Sequence, residues 1–200
     1  MQFSTFILAA ISMGSAIASP TTGFASFNNA LAVAANVKVA VQQELAIIKT
    51  ATSGARKEAD AVVTLQKSLR TAGLSVNSLL GPVVALGNVQ PTSLSKEQLV
   101  AVSQFQKDIL DAFVSLQLIG KTITGSHLSK DALAQVKPEL QWVLASPAPI
   151  ARLVIAFVKD AAPKYASYGY WNPYLINIQA LIVVALGPLD LDIGLDIEVL

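Results

Sequence analysis

Between Ser95 and Lys121 the chain carries a pattern that only one kind of element satisfies. Leu99, Val102, Ile109, Phe113 and Leu116 step by threes, fours and a seven, beside Phe105, Leu110 and Val114. Such steps gather side chains on one face of a helix and scatter them over both faces of a strand. Ser95 and Gln98 precede the run in S-x-x-Q spacing, the signature of a capping box. Glu97 falls in the first turn and Lys121 in the last, each where the helix dipole favours its charge. A helix this long with so wide an apolar stripe has to bury the stripe against other elements.

The rest of the chain supplies those elements. From about Phe27 to Thr50, Val37, Val41, Leu45 and Ile48 share a helical face, with Lys38, Gln42 and Lys49 off it. A second helix is predicted from Arg56 to Thr71, with Ala59, Val62, Val63, Gln66 and Leu69 on one side and Gly73 as its stop. Gly81-Pro82 and Gly87 punctuate an apolar stretch that predicts a short, kinked helix or two helical turns. Ser129 caps a helix from Lys130 to Ala145, with Asp131 in its first turn and Pro138 as a bend. Residues 146–149, "SPAP", separate it from a helix over Ile150 to Ala162. Asn172-Pro173 reads as an N-cap and first helical residue, and Gly187-Pro188 as a stop. A helix between them is predicted, with a strand as the alternative because of the Ile and Val content. The end of the chain alternates, with Leu189, Leu191, Ile193, Leu195, Ile197 and Val199 on one side and acids and Gly194 on the other. Period two predicts an extended segment. The expected fold is all-α, a single helical bundle of five to seven helices with a C-terminal strand-like tail.

Residues 1–18, "MQFSTFILAAISMGSAIA", have the build of a secretory signal peptide. The apolar stretch begins at Phe6, and Ala16-Ile17-Ala18 is an A-x-A cleavage site that leaves Ser19 first. The product is expected outside the cell, in the medium or the cell wall. Residues 19–164 then form the bundle domain. Residues 165–200 add an aromatic segment, an apolar helix and an acidic tail packed on the same domain. The chain has no cysteine, so burial alone has to hold a secreted fold together. A thiolate nucleophile and cysteine-based metal sites are excluded as well.

All fourteen Lys and Arg lie at or before Lys164, so the last 36 residues carry −4 and the rest +5. Neither block is dense enough for nucleic acid. The chain is 53% hydrophobic, with a mean hydropathy of +0.55 and only 14% charged residues, against about a quarter in an average domain. The long apolar runs are nevertheless interrupted. Residues 175–187 contain Asn177 and Gln179, and residues 142–158 contain Pro147, Pro149 and Arg152. No integral membrane span is expected.

Motifs of chemistry fail one after another. Gly120-Lys121-Thr122 resembles the end of a phosphate-binding loop, but Ser115 stands where that loop needs glycine, and a helix precedes it. Ser126 adjoins His127, the only histidine, with no nucleophile elbow around it. One histidine cannot make a His-rich zinc site. Asp108 and Asp111 share a helical face that reads as solvated. The spacing of Asp190, Gly194 and their apolar neighbours does not fit a calcium loop. No enzyme activity, cofactor or metal is expected.

What survives is apolar surface and a cluster of rings. All four tyrosines lie in residues 165–174, "YASYGYWNPY", with one of the two tryptophans. Rings with an apolar body and a polar tip suit boundaries between water and something greasy. Gly169 and Asn172-Pro173 put them on a bend at one end of the bundle, where they either plug the core or form the lip of a ligand entrance or a surface anchor. The candidate ligand-binding residues are Phe105, Ile109 and Phe113 on the long stripe, Leu153 and Phe157 on the next apolar segment, and Tyr165, Tyr168, Tyr170, Trp171 and Tyr174. The expected function is non-enzymatic binding of lipids, fatty acids or hydrophobic surfaces outside the cell. The alternative is a self-assembling extracellular or cell-wall structural protein that uses its alternating tail for strand addition and forms homo-oligomers.

The secretory leader, the cysteine-free Ala/Val/Leu-rich helical domain and residues 120–136, "GKTITGSHLSKDALAQV", followed by a helix, carry a further pointer. Over roughly Asn29 to Lys164 they resemble the fungal hydrophobic-surface-binding and cell-wall galactomannoprotein family. The resemblance implies a secreted helical protein of the wall or medium. Some members bind fatty acids between helices and others coat hydrophobic surfaces. After Lys164 the chain departs from that pattern in its Tyr/Trp cluster, its acidic tail and its lack of a Ser/Thr-rich wall anchor.

Overall fold

A computed structural model of the chain describes residues 23–54, 57–87 and 95–167, with side chains from 28 to 157 within those segments and at Asp160. The elements are helices α1 Gly23–Ala51, α2 Glu58–Asn77, α3 Leu80–Leu86, α4 Lys96–Thr124, α5 Lys130–Ala145 and α6 Pro147–Ser167. No strand occurs among the described residues, and the chain there is all-α, as its periodicity predicts. The signal peptide, the helix predicted after Pro173 and the alternating tail lie outside the described residues.

The local signals at helix starts act as expected. Ser95 Oγ accepts from the Gln98 backbone N–H at 3.3 Å, and Gln98 Oε1 accepts from the Ser95 N–H at 2.7 Å, closing the capping box. Ser129 Oγ accepts from the Ala132 N–H at 3.2 Å. Gly54, at φ +80° in the turn after α1, takes a left-handed conformation that costs a residue with a Cβ.

The predicted stops fare differently. Gly73 lies inside α2, which runs on to Asn77. Between α2 and α3, Ser78 and Leu79 keep right-handed helical angles (φ −63°, ψ −18° and φ −70°, ψ −23°), so the two helices follow on as one stretch. Ser146 does the same between α5 and α6 (φ −62°, ψ −28°). α6 begins at Pro147 rather than Ile150, because the first helical position has no hydrogen bond for proline to lose.

Short turns make α1 with α2–α3 one hairpin and α4 with α5–α6 another. α1 packs most extensively on α4 and next on α2 and α3. α5 lies against α2 and α4, and α6 against α3. The hairpins stand side by side in register. Glu58 Oε1 accepts from the Ser129 N–H (2.6 Å, 71 residues apart). Gln66 Nε2 donates to the Gln135 carbonyl (2.9 Å, 69 apart), and Arg70 pairs with Glu139 (2.8 Å, 69 apart). A near-constant separation means that α2 and α5 run in the same direction. Lys38 and Asp108, 70 residues apart, tie α1 to α4. The sequence shows no internal repeat, yet the tertiary structure sets two hairpins at a near-constant interval. The interval resides in packing geometry, which differing side chains satisfy equally well.

One apolar core joins all six helices, with Val41 and Ile48 of α1, Leu65 and Leu69 of α2, Leu86 of α3, Phe105, Ile109 and Phe113 of α4, Val136 and Val143 of α5, and Ile150 and Val154 of α6 fully buried. Asp108 is nearly buried and paired with Lys38, so it does not belong to the solvated face assigned from its spacing with Asp111.

Three stretches, Asn28–Ala51, Glu58–Leu86 and Lys130–Phe157, are long and apolar enough to cross a membrane by length and composition. In sequence, residues 142–158 look broken by Pro147, Pro149 and Arg152; in the structure α5 and α6 adjoin across Ser146, so Lys130–Phe157 forms one apolar stretch. Each stretch carries charge, Lys38 and Glu44 in the first, Lys67 and Arg70 in the second, Lys137, Glu139 and Arg152 in the third. A Lys, Arg or Asp at the centre of a spanning helix costs about 2.5–3.5 kcal/mol.

Candidate functional site

The structure divides the predicted ligand residues. Phe105, Ile109, Phe113 and Phe157 meet in the core cluster. Leu153, one turn before Phe157, points outward and is 36% exposed. Tyr165 lies in the last turns of α6, where the backbone alone is described. Tyr168, Tyr170, Trp171 and Tyr174 lie outside the described residues. Helix α6 continues to Ser167, so the first three residues of the aromatic decad are helical.

A groove that the sequence does not announce runs between α2 and α5. It has a volume of about 400 Å³ and is lined by Arg70 and Leu74 on one side and Pro138, Glu139 and Trp142 on the other. The parallel register makes it, by setting Arg70 beside Glu139 and Gly73 beside Trp142. A Cβ on Gly73 would stand 2.3 Å from Trp142 Cζ3 and 2.6 Å from Cη2, so only glycine admits the indole there. One part of the ring thus rests on the α2 backbone while the residue stays 40% exposed, next to Leu74 at 62%. Pro138 sits within α5 and has no N–H to donate to Ala134. The neighbouring carbonyl of Gln135 accepts a hydrogen bond from Gln66 Nε2, outside the helix.

The Arg70–Glu139 pair closes the rim. The hydrogen bond from Arg70, followed by a backbone hydrogen bond, holds the Glu139 carboxyl below its ordinary range. Beyond that pair the lining is hydrocarbon and indole. Such a groove can take an aliphatic chain or lie against a greasy surface, and it holds no nucleophile and base in contact. Among the described residues no group of three or more His, Cys, Asp or Glu converges on a metal position.

Sequence reasoning passed over both central residues. Trp142 reads as an ordinary helix residue and Gly73 as a helix stop. The available signal was a glycine inside a helical pattern, which costs about 1 kcal/mol against alanine and so implies a packing reason. Its partner 69 residues away has no signature along the chain.

Two further polar groups are buried away from the groove. Glu44 is 8% exposed between α1 and α2, and burial pushes its carboxyl above the ordinary range, opposed by a hydrogen bond from Ser68 and by the charge of Lys67. Gln106 on α4 is fully buried, and neither its Nε2 nor its Oε1 has a partner.

Comparison with protein-family models, with curated proteins and with solved structures finds no match to this chain.

Proposed function

We propose that this is a secreted, non-enzymatic protein that binds lipids, fatty acids or hydrophobic surfaces outside the cell, in the manner implied by its resemblance to the fungal hydrophobic-surface-binding and cell-wall galactomannoproteins. The finer architecture belongs to the same proposal: five to seven helices, with an extended tail after the aromatic segment. The observation that carries the reading is the α2–α5 groove. Exposed Leu74 and Trp142, with Pro138, form an apolar patch that the described helices leave uncovered. Trp142 is anchored on Gly73 and therefore presented in one orientation. Exposed apolar side chains held rigid next to a polar rim are what a binding surface for hydrocarbon requires.

In a Trp171→Phe background Trp142 is the only tryptophan, so its emission reports the groove directly. Adding phosphatidylcholine vesicles or alkyl-coated particles is expected to shift that emission to the blue. Trp142→Ala is expected to weaken adsorption at least about tenfold, equivalent to ~1.4 kcal/mol. Emission indifferent to saturating vesicles, with Trp142→Ala adsorbing as well as the parent, would remove the groove from the mechanism.

A further inference from the structure

Helix α4 carries a second stripe, on the side opposite its buried Phe105, Ile109 and Phe113. Val100, Gln104, Lys107, Asp111, Val114 and Leu118 step by four, three, four, three and four, the spacing of a coiled-coil seam. The contacts of α4 with α1, α5 and α6 leave this side open. Val100, Leu118 and Val114 are 55%, 42% and 37% exposed. Gln104 donates to Asp108 Oδ1 at 3.0 Å, so its amide is engaged along the helix and its methylene groups remain for a neighbour.

A single exposed valine or leucine needs no explanation. This stripe differs because it complements itself when reversed. Laid antiparallel on the same stripe of a second copy, with the twofold axis level with Ile109, Val100 meets Leu118, Gln104 meets Val114 and Lys107 meets Asp111. Twofold symmetry makes each meeting occur twice. The parallel arrangement in register would instead set Lys107 on Lys107 and Asp111 on Asp111, and like charges in contact oppose it. Among the described residues neither Lys107 nor Asp111 belongs to an ion pair, whereas Asp108 between them is taken by Lys38.

We propose that the outer stripe of α4 is a self-association surface, on which two copies of this chain pack α4 against α4 antiparallel, with Lys107 and Asp111 paired across the twofold axis. Val100, Val114 and Leu118 supply the burial at the two ends of the seam. The charges at its middle fix direction and register, as polar groups at seam positions do at a cost in stability. From Val100 to Leu118 the stripe is about 27 Å long at 1.5 Å per residue. One helix pair of that length is a small contact beside the roughly 1,200–2,000 Å² of a standard interface, so the dimer is reversible and concentration-dependent. The groove on α2 and α5 takes no part in it, and the proposal stands apart from the lipid-binding reading.

Charge reversal tests this in the full chain by sedimentation equilibrium over a concentration series. The parent is expected to pass from monomer to dimer. Lys107→Glu alone and Asp111→Lys alone each set like charges across the axis and are expected to weaken self-association at least tenfold, with helical content unchanged by circular dichroism. An equimolar mixture of the two variants is expected to recover the dimer, because each substituted position then meets its opposite on the other chain. Should a reversal disturb folding, cysteine offers a second route, since the chain has none. Val100→Cys and Leu118→Cys chains, mixed and oxidised, are expected to cross-link to one another. Val100→Cys chains alone are not, because the two copies of that position lie about 27 Å apart along the seam, far beyond disulfide reach. A parent that stays monomeric at every concentration, with no cross-link on mixing, would overturn the proposal, whatever else covers the stripe. Oligomers that persist unchanged through both charge reversals would also overturn it and would direct attention to another surface, such as the alternating end of the chain.

Discussion

Replacing Gly73 with alanine sets two effects of known size against each other. Alanine in a helix interior is favoured over glycine by about 0.8–1.0 kcal/mol. Against this, the new Cβ would lie 2.3 Å from Trp142 Cζ3, 2.6 Å from Cη2 and 2.9 Å from Cε3. A backbone-anchored Cβ cannot retreat, so the far edge of the indole has to swing out. A tryptophan buries on the order of 200 Å² when fully enclosed. Trp142 is 40% exposed, so displacing the ring forfeits about 100 Å² of contact, or about 2.5 kcal/mol at 25 cal/mol per Å². The net expectation for Gly73→Ala is a loss of about 1–2 kcal/mol, read as a lower urea midpoint with an unchanged slope. In the Trp171→Phe background the Trp142 emission should also move to the red. A variant stabilised by about 1 kcal/mol, the bare helix-propensity gain, with unchanged emission, would show that the indole does not rest on Gly73.

The buried polar groups give two further tests. Burial raises the Glu44 carboxyl above its ordinary 4.5, so the folded state disfavours the charge that the unfolded state carries freely. The penalty is full above the raised folded pKa and vanishes as pH falls to the unfolded value. Glu44→Gln should therefore raise the urea midpoint at neutral pH, with the gain shrinking to nothing near pH 4. A variant less stable than the parent at neutral pH would reverse the sign and refute the assignment. Gln106→Leu replaces an amide with two unpartnered buried atoms by a side chain of similar size, and should stabilise the chain by about 1–3 kcal/mol. Destabilisation measured by the same denaturant titration would mean that the amide has a partner.

How far the chain can be read before it is folded is seen by comparing particular residues. Ser95, Gln98, Ser129 and the stripe from Leu99 to Leu116 determine where helices begin and which face they bury. Caps and periodicity act over three or four residues, a distance that adjacent side chains decide by themselves. The all-α character and the membership of Phe105, Ile109 and Phe113 in an apolar face follow from the same local rules. Helix ends were less legible. Gly73 looks like a stop, yet α2 runs through it because packing outweighs about 1 kcal/mol of local propensity; Pro147 looks like a separator, yet α6 starts from it because the first helical position has no hydrogen bond for proline to lose. Which helices neighbour one another, and in which direction, only the tertiary structure decided. The separation of about 70 residues that lays α2 beside α5 turns Gly73 into a seat for Trp142, brings Asp108 out of water to Lys38, and opens a groove beside Arg70 and Leu74. Burial is non-directional and roughly proportional to area, so an apolar stripe tells that a helix must be covered and leaves the choice of partner to the packing of the whole core.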